Sequence, residues 1–147
     1  MKYELTIDVN LPVTKVVELF DSTENLYKWQ PELQSFEHIS GEPGEIGAKS
    51  KLVYLMNGSP CEMIETITKK ALPDSFSGTY EAKGVWNQVD NRFEFINDNL
   101  TRWHVTNEFR FQGLMKIVGF LMPWMFKKQT QKYLEQFRTF AESQISD

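Results

Sequence analysis

Apolar and polar residues alternate from the start of the chain. Tyr3, Leu5, Ile7 and Val9 interleave with Lys2, Glu4, Thr6 and Asp8, the period-2 signature of a half-buried strand. After Pro12, which suits a first helical turn, the period lengthens. Val16, Val17, Leu19 and Phe20 share one helical face. Asp21 or Ser22 can cap a second short helix that runs to about Trp29 and ends before Pro31. Six strand candidates follow, over residues 33–39, 49–56, 61–70, 75–82, 85–96 and 101–111. Turn chemistry separates them: the glycine loop 41–47, Asn57-Gly58, Leu72-Pro73-Asp74, Lys83-Gly84 and Asn97-Asp98-Asn99. Consecutive strands with short turns predict an antiparallel meander.

The end of the chain changes period again. Gly113 leads into an apolar run, residues 114–126, broken by Lys116 and Pro123. A helical stripe follows through Phe126, Thr130, Tyr133, Phe137, Phe140 and Ala141, with Lys127, Lys128, Lys132, Glu135, Arg138 and Glu142 on the other face. The order of elements predicts an α+β domain of about seven strands. Its curved antiparallel sheet wraps a long C-terminal helix, and two short helices follow the first strand.

Bulk properties narrow the picture. A chain of 147 residues makes one domain, here 1–147, and buries roughly 68–70% of its unfolded surface without help from disulfides or metals. The single Cys61 rules out an internal disulfide framework. A cytoplasmic setting is expected, with no N-terminal signal peptide. Residues 114–126 fall short of the roughly 20 apolar residues that span a bilayer, so stable membrane insertion is not expected. A net charge of −4 argues against nucleic acid as partner. Eleven Phe, five Tyr and four Trp are enough to line both a core and an apolar pocket.

Candidate chemistry is sparse. Gly41, Gly44 and Gly47 are three apart and Ala48 follows them, so the loop reads as a turn rather than a phosphate cradle. His38, His104 and Cys61 form no ligand-spaced cluster, so neither a metal nor another cofactor is expected. Cys61 reads as a small apolar strand residue.

Alternation places Trp103, Val105, Asn107, Phe109 and Phe111 on one face and Arg102, His104, Thr106, Glu108 and Arg110 on the solvent face. Likewise Val85, Asn87, Val89, Asn91, Phe93 and Phe95 share a face. Three asparagines, Asn87, Asn91 and Asn107, thus point inward, where each needs a partner from protein, water or ligand. Cys61, Met63, Glu65 and Ile67 form the more apolar face of their strand, which puts Glu65 inside. Desolvation there would raise its pKa and suit it to general acid–base work, unless an Arg or a bulge turns it away. Tyr54 and Tyr80 could orient a ligand or anchor the sheet.

Residues 114–126, with Met115, Phe120 and Met122, admit three readings. They can be core, a pocket mouth hinged at Gly113, Gly119 and Pro123, or a shallow membrane contact aided by Lys116, Lys127 and Lys128.

The chain resembles the START-like superfamily, also called SRPBCC, of polyketide cyclase/dehydrase and lipid-transport proteins. The residues that carry the likeness are Leu11-Pro12, Glu24-Asn25-Leu26 with Trp29-Gln30-Pro31, Gly44 and Gly47, Glu65-Thr66-Ile67 and the exit at 109–113. The resemblance implies a helix-grip fold. It also implies an internal cavity for a small hydrophobic or amphipathic molecule or lipid, to which Tyr54, Glu65, Tyr80, Asn87, Asn91, Trp103, Asn107, Met115, Phe120 and Met122 are the candidate contacts. Two alternatives come with it. One is a cyclase- or dehydratase-like enzyme using the inward Glu65. The other is a protein-interaction domain like the Hsp90-activator branch.

Overall fold

The structure is a computed structural model and describes residues 1–144. A first strand, β1 (Lys2–Val9), is followed by helices α1 (Val13–Phe20) and α2 (Thr23–Trp29). Six strands come next: β2 (Leu33–Ser40), β3 (Lys49–Met56), β4 (Ser59–Ala71), β5 (Ser75–Ala82), β6 (Val85–Asn97) and β7 (Leu100–Phe111). Helices α3 (Met115–Leu121) and α4 (Pro123–Ser143) close the described chain. All seven strands form one antiparallel sheet in the order β1-β7-β6-β5-β4-β3-β2. The sheet stays open, with β1 and β2 at its edges.

Local chemistry explains the joints. The Ser22 side chain caps α2 by accepting from the Asn25 backbone N–H at 3.1 Å. Asn57 and Gly58 both take positive φ, 51° and 80°, as the two-residue hairpin between β3 and β4 requires. Gly41, at φ 80°, lies so close to Ala48 that a Cβ there would come within 2.9 Å of its Cα. The glycine loop is therefore a tight turn, as its spacing predicts.

The core sits at one end of the sheet. Ile7, Val9, Leu11, Val16, Leu19, Trp29, Phe93, Trp103, Val105, Leu134, Phe137 and Ala141 bury one another there. Phe20 lies edge-on to Phe76, Phe93, Trp103 and Phe137 at ring separations of 4.9–5.9 Å. A smaller cluster of Leu33, Leu52 and Tyr54 holds β2 and β3 together. The backbone of α4 comes closest to β1 and α2.

Four expectations need correction. Leu134, off the expected stripe, is buried with Phe137 and Ala141, whereas Phe126, Thr130, Tyr133 and Phe140 are half-buried. Phe95 is 58% exposed although it alternates with Phe93, because β6 runs past the helices into the β6–β7 turn and its register shifts there. His104, expected in solvent, has a side chain only 15% exposed. Its Nε2 lies 2.8 Å from Glu94 and its Nδ1 3.6 Å from Glu4. Gly119 is a packing glycine rather than a hinge, since a Cβ there would strike the ring of Phe111.

Candidate functional site

Strand register fixes the inner face. Ser50 of β3, Glu65 of β4, Tyr80 of β5, Asn87 of β6 and Phe109 of β7 are successive cross-strand partners. They form a polar row ending in an aromatic ring. Around it on the same face lie Leu52, Tyr54, Met56, Cys61, Met63, Ala82, Val85 and Phe111. Apart from Ser50, Leu52 and Tyr54, these residues are only half-buried, in contrast to the closed core at the other end of the sheet. Tyr133 of α4 faces them, its ring 6.3 Å from that of Tyr54. We term the half-buried concave face between β3–β6 and the first half of α4 the recess.

Glu65 points into this recess, as the apolar face of β4 predicts. The Tyr80 hydroxyl donates to its Oε2 at 2.8 Å. Burial raises the Glu65 carboxyl above the usual carboxylate range, and the Tyr80 hydrogen bond only partly offsets that. Burial also pushes the Tyr80 phenol well up, and the neighbouring Glu65 adds to the effect. Tyr133 is held at about 12, mainly by burial. The result is a hydrogen-bonded pair in a partly dry setting, each group shifted by burial toward holding its proton. No lysine or arginine lies beside Glu65 on this face; the β4 bulge turns Lys70 inward opposite Phe76, but at the far end of the strand, where Asp21 and Glu45 engage it at 3.8 and 3.6 Å.

Other expected contacts are already committed to the protein. The Trp103 indole donates to Asn91 Oδ1 at 3.0 Å, and the Asn91 amide donates to the Phe76 carbonyl at 3.2 Å. This pair belongs to the core. Asn87 donates to Asn107 Oδ1 at 3.0 Å and to the Glu108 carbonyl at 3.1 Å, which ties β6 to β7. Asn107 is buried, while Asn87 remains half-open beside Tyr80. The Tyr54 hydroxyl donates to Gln30 Oε1 at 2.6 Å.

Residues 114–126 do not form core: α3 has no buried residue. Met115 is half-buried, placed so that a Cβ on Gly84 would meet it at 2.9 Å. Phe120 and Met122 are exposed and stand apart from the recess.

Sequence reasoning missed Gln30, Glu32 and Gln136. The Lys132 ammonium lies 2.8 Å from Glu32 Oε1, to which the Gln136 amide also donates at 3.1 Å. The Glu32 side chain is 19% exposed. Desolvation raises its pKa, but Lys132, the local backbone and Gln136 together hold it below the ordinary value. Lys132 is thus a tether between α4 and the end of α2, not an idle surface charge. No periodic pattern announces this, because Glu32 sits between helix and strand.

The convex face carries a shallow depression of about 280 Å³ lined by Glu4, Lys69, Asp90, Arg92 and His104, among others. It is open and polar, and its His104 is already engaged by Glu94.

No family model matches the chain. No curated protein matches it either. Solved structures do. The Zhui aromatase/cyclase from Streptomyces sp. R1128 aligns with a TM-score of 0.84 at 12% identity, covering 99% of this chain and 95% of that one. Norcoclaurine synthase from Thalictrum flavum, solved with dopamine and hydroxybenzaldehyde, aligns with a TM-score of 0.76 at 11% identity, over 100% and 89% of the two chains. A START superfamily protein from Mycobacterium smegmatis gives 0.74 at 12% identity, over 98% and 96%. At such identities the likeness is one of fold: this chain has the START-like helix-grip architecture.

Proposed function

We propose that this protein binds a small, uncharged amphipathic molecule in the recess between β3–β6 and α4. The observation that carries this reading is the inward Glu65–Tyr80 pair, half-open to water on an otherwise apolar and aromatic concave face. Pockets that hold small molecules are mostly apolar with a few placed polar groups. Glu65, Tyr80 and Asn87 fit the polar end, and Met56, Met63, Val85, Phe109 and Phe111 the apolar body.

Charge narrows the class. A carboxylate or phosphate ligand would face Glu65, while the inward Lys70 is already engaged by Asp21 and Glu45 at the far end of β4. A phenol, alcohol or carbonyl finds both a donor and an acceptor. This favours a neutral ring-bearing compound over a free fatty acid. The occupied structure of norcoclaurine synthase, with its two aromatic compounds, supports a ring-bearing ligand for this fold.

Native mass spectrometry against a matched panel of neutral phenols and medium-chain fatty acids tests the reading. Phenols are expected to be retained, and Tyr80→Phe to weaken them about threefold to tenfold, the value of one net hydrogen bond. Equal retention of fatty acids, or affinities untouched by Tyr80→Phe and Glu65→Gln, would overturn it.

A second reading, an enzyme of the cyclase or dehydratase kind, rests on the same pair. A desolvated carboxyl 2.8 Å from a phenol is a competent proton donor or acceptor for a ligand beside it. Glu65→Gln separates the two readings: it weakens ligand binding modestly in either case, and abolishes turnover only if Glu65 moves a proton.

A further inference from the structure

Helix α3 is apolar apart from Lys116. Its inner stripe, Met115, Val118 and Gly119, faces the β5–β6 turn and Phe111. Its outer stripe has nothing over it. Leu114 is 82% exposed, Ile117 57%, Phe120 84% and Leu121 64%, and Trp124 at the start of α4 is 61% exposed. A helix with apolar residues on both its inner and outer sides normally has them covered by protein or lipid. Large contiguous apolar patches on a surface mark interaction sites.

The surrounding charge selects the partner. Residues 109–134 contain Arg110, Lys116, Lys127, Lys128 and Lys132 and no acidic residue, within a chain of net charge −4. Arg110 is engaged by Glu108 at 2.9 Å and Lys132 by Glu32 at 2.8 Å. Lys116, Lys127 and Lys128 are exposed and have no ion-pair partner among the described residues. A second copy of the chain would bring the same cations against them, so self-association through this patch is opposed by like charge. An anionic bilayer surface meets both demands: acyl chains receive the outer stripe and lipid headgroups receive the lysines. Trp124 supplies the aromatic group that favours the boundary between them.

We propose that the α3–α4 corner docks this protein on anionic membranes, with Leu114, Ile117, Phe120, Leu121 and Trp124 entering the headgroup region and Lys116, Lys127 and Lys128 lying on it. The contact is peripheral: no helix among the described residues is long and apolar enough to cross a membrane. It does not depend on what the recess holds.

Sedimentation with phosphatidylcholine vesicles, with and without about 30% phosphatidylserine, tests it. The full chain should pellet with the anionic vesicles and far less with the neutral ones. Trp fluorescence should shift to the blue on binding, a shift lost in Trp124→Phe, because Trp29 and Trp103 are already buried and Trp86 lies on the convex face beneath Arg110, 4.4 Å from its ring. Lys116→Ala/Lys127→Ala/Lys128→Ala should weaken binding roughly a hundredfold, at about fivefold per lysine. Phe120→Asp/Leu121→Asp should abolish it while leaving the denaturation midpoint unchanged. Failure to pellet with anionic vesicles would overturn the proposal. So would equal pelleting with neutral vesicles, or a dimer in sedimentation velocity that Phe120→Asp/Leu121→Asp dissociates.

Discussion

The two halves of α4 share one helix and opposite fates. Leu134, Phe137 and Ala141 in its second half are buried against β1, α1, α2 and the rings of Phe20, Trp29 and Trp103. In its first half Trp124, Met125, Lys127 and Lys128 are exposed, and the inward residues are half-buried: Phe126 meets Phe109 and Phe111 at 5.0 and 5.1 Å, and Thr130 the Tyr3 hydroxyl at 2.6 Å. One half closes the fold. The other, with α3, leaves the concave face half-open. A helix can be clamped at one end and free at the other because burial is decided locally, by which strands lie beneath it.

The sharpest test of this division is Phe137→Ala. Phe137 is 0% exposed, and removing its ring should lower stability by about 3–5 kcal/mol. Denaturant unfolding measures it. A loss under about 1 kcal/mol would mean that the second half of α4 is not core. Next comes Gly119→Ala. Its methyl would strike the Phe111 ring, so overpacking of about 1–3 kcal/mol competes with the roughly 1 kcal/mol helical preference of alanine. The net cost should be about 1 kcal/mol, and α3 should lift from the sheet. Faster hydrogen exchange confined to residues 114–122 would show that lifting.

Two carboxylates divide in the same way and respond to pH in opposite senses. Glu32, in the clamped region, has a pKa held below its ordinary value. Its contribution is present above the unfolded pKa and is lost as pH falls through the folded one. Lys132→Ala leaves that carboxylate with Gln136 and the local backbone but no cation, and should cost about 1 kcal/mol at neutral pH, less in acid. Glu65, in the recess, has its pKa raised, so the folded state binds its proton more tightly. Stability from this group is full below the unfolded pKa and is lost as pH rises through the folded one. Glu65→Gln should therefore gain on the parent chain as pH rises from about 4 to about 8, and thermal melts across that range read the difference. A constant difference would place Glu65 in ordinary solvent.

The same contrast decides what the sequence could disclose. Periodicity and turn residues carry the strands, both short helices and the inward direction of Glu65, because a one-residue slip would turn every side chain over. Asn57-Gly58 and the 41–47 loop are local chemistry and equally legible. Partnership across elements is not. Tyr54 with Gln30, Asn87 with Asn107, Trp103 with Asn91 and Lys132 with Glu32 are set by how the sheet curves and where α4 crosses it. The role of 114–126 was hidden for another reason. An apolar run looks the same whether it is core, lid or docking surface, and only the strands beneath it separate those cases.

Phe120→Ser asks the least of stability and the most of the comparison. Phe120 is 84% exposed, so the folded chain gives up almost no contact when the ring is removed. The change in unfolding free energy should stay within about 0.5 kcal/mol, against the several lost at Phe137. Both are phenylalanines in the apolar C-terminal quarter of the chain, and composition cannot tell them apart. If Phe120→Ser costs as much as Phe137→Ala in denaturant unfolding, α3 is packed in solution and the concave face is closed. If it is neutral while vesicle binding falls, the ring is retained for contact outside the fold.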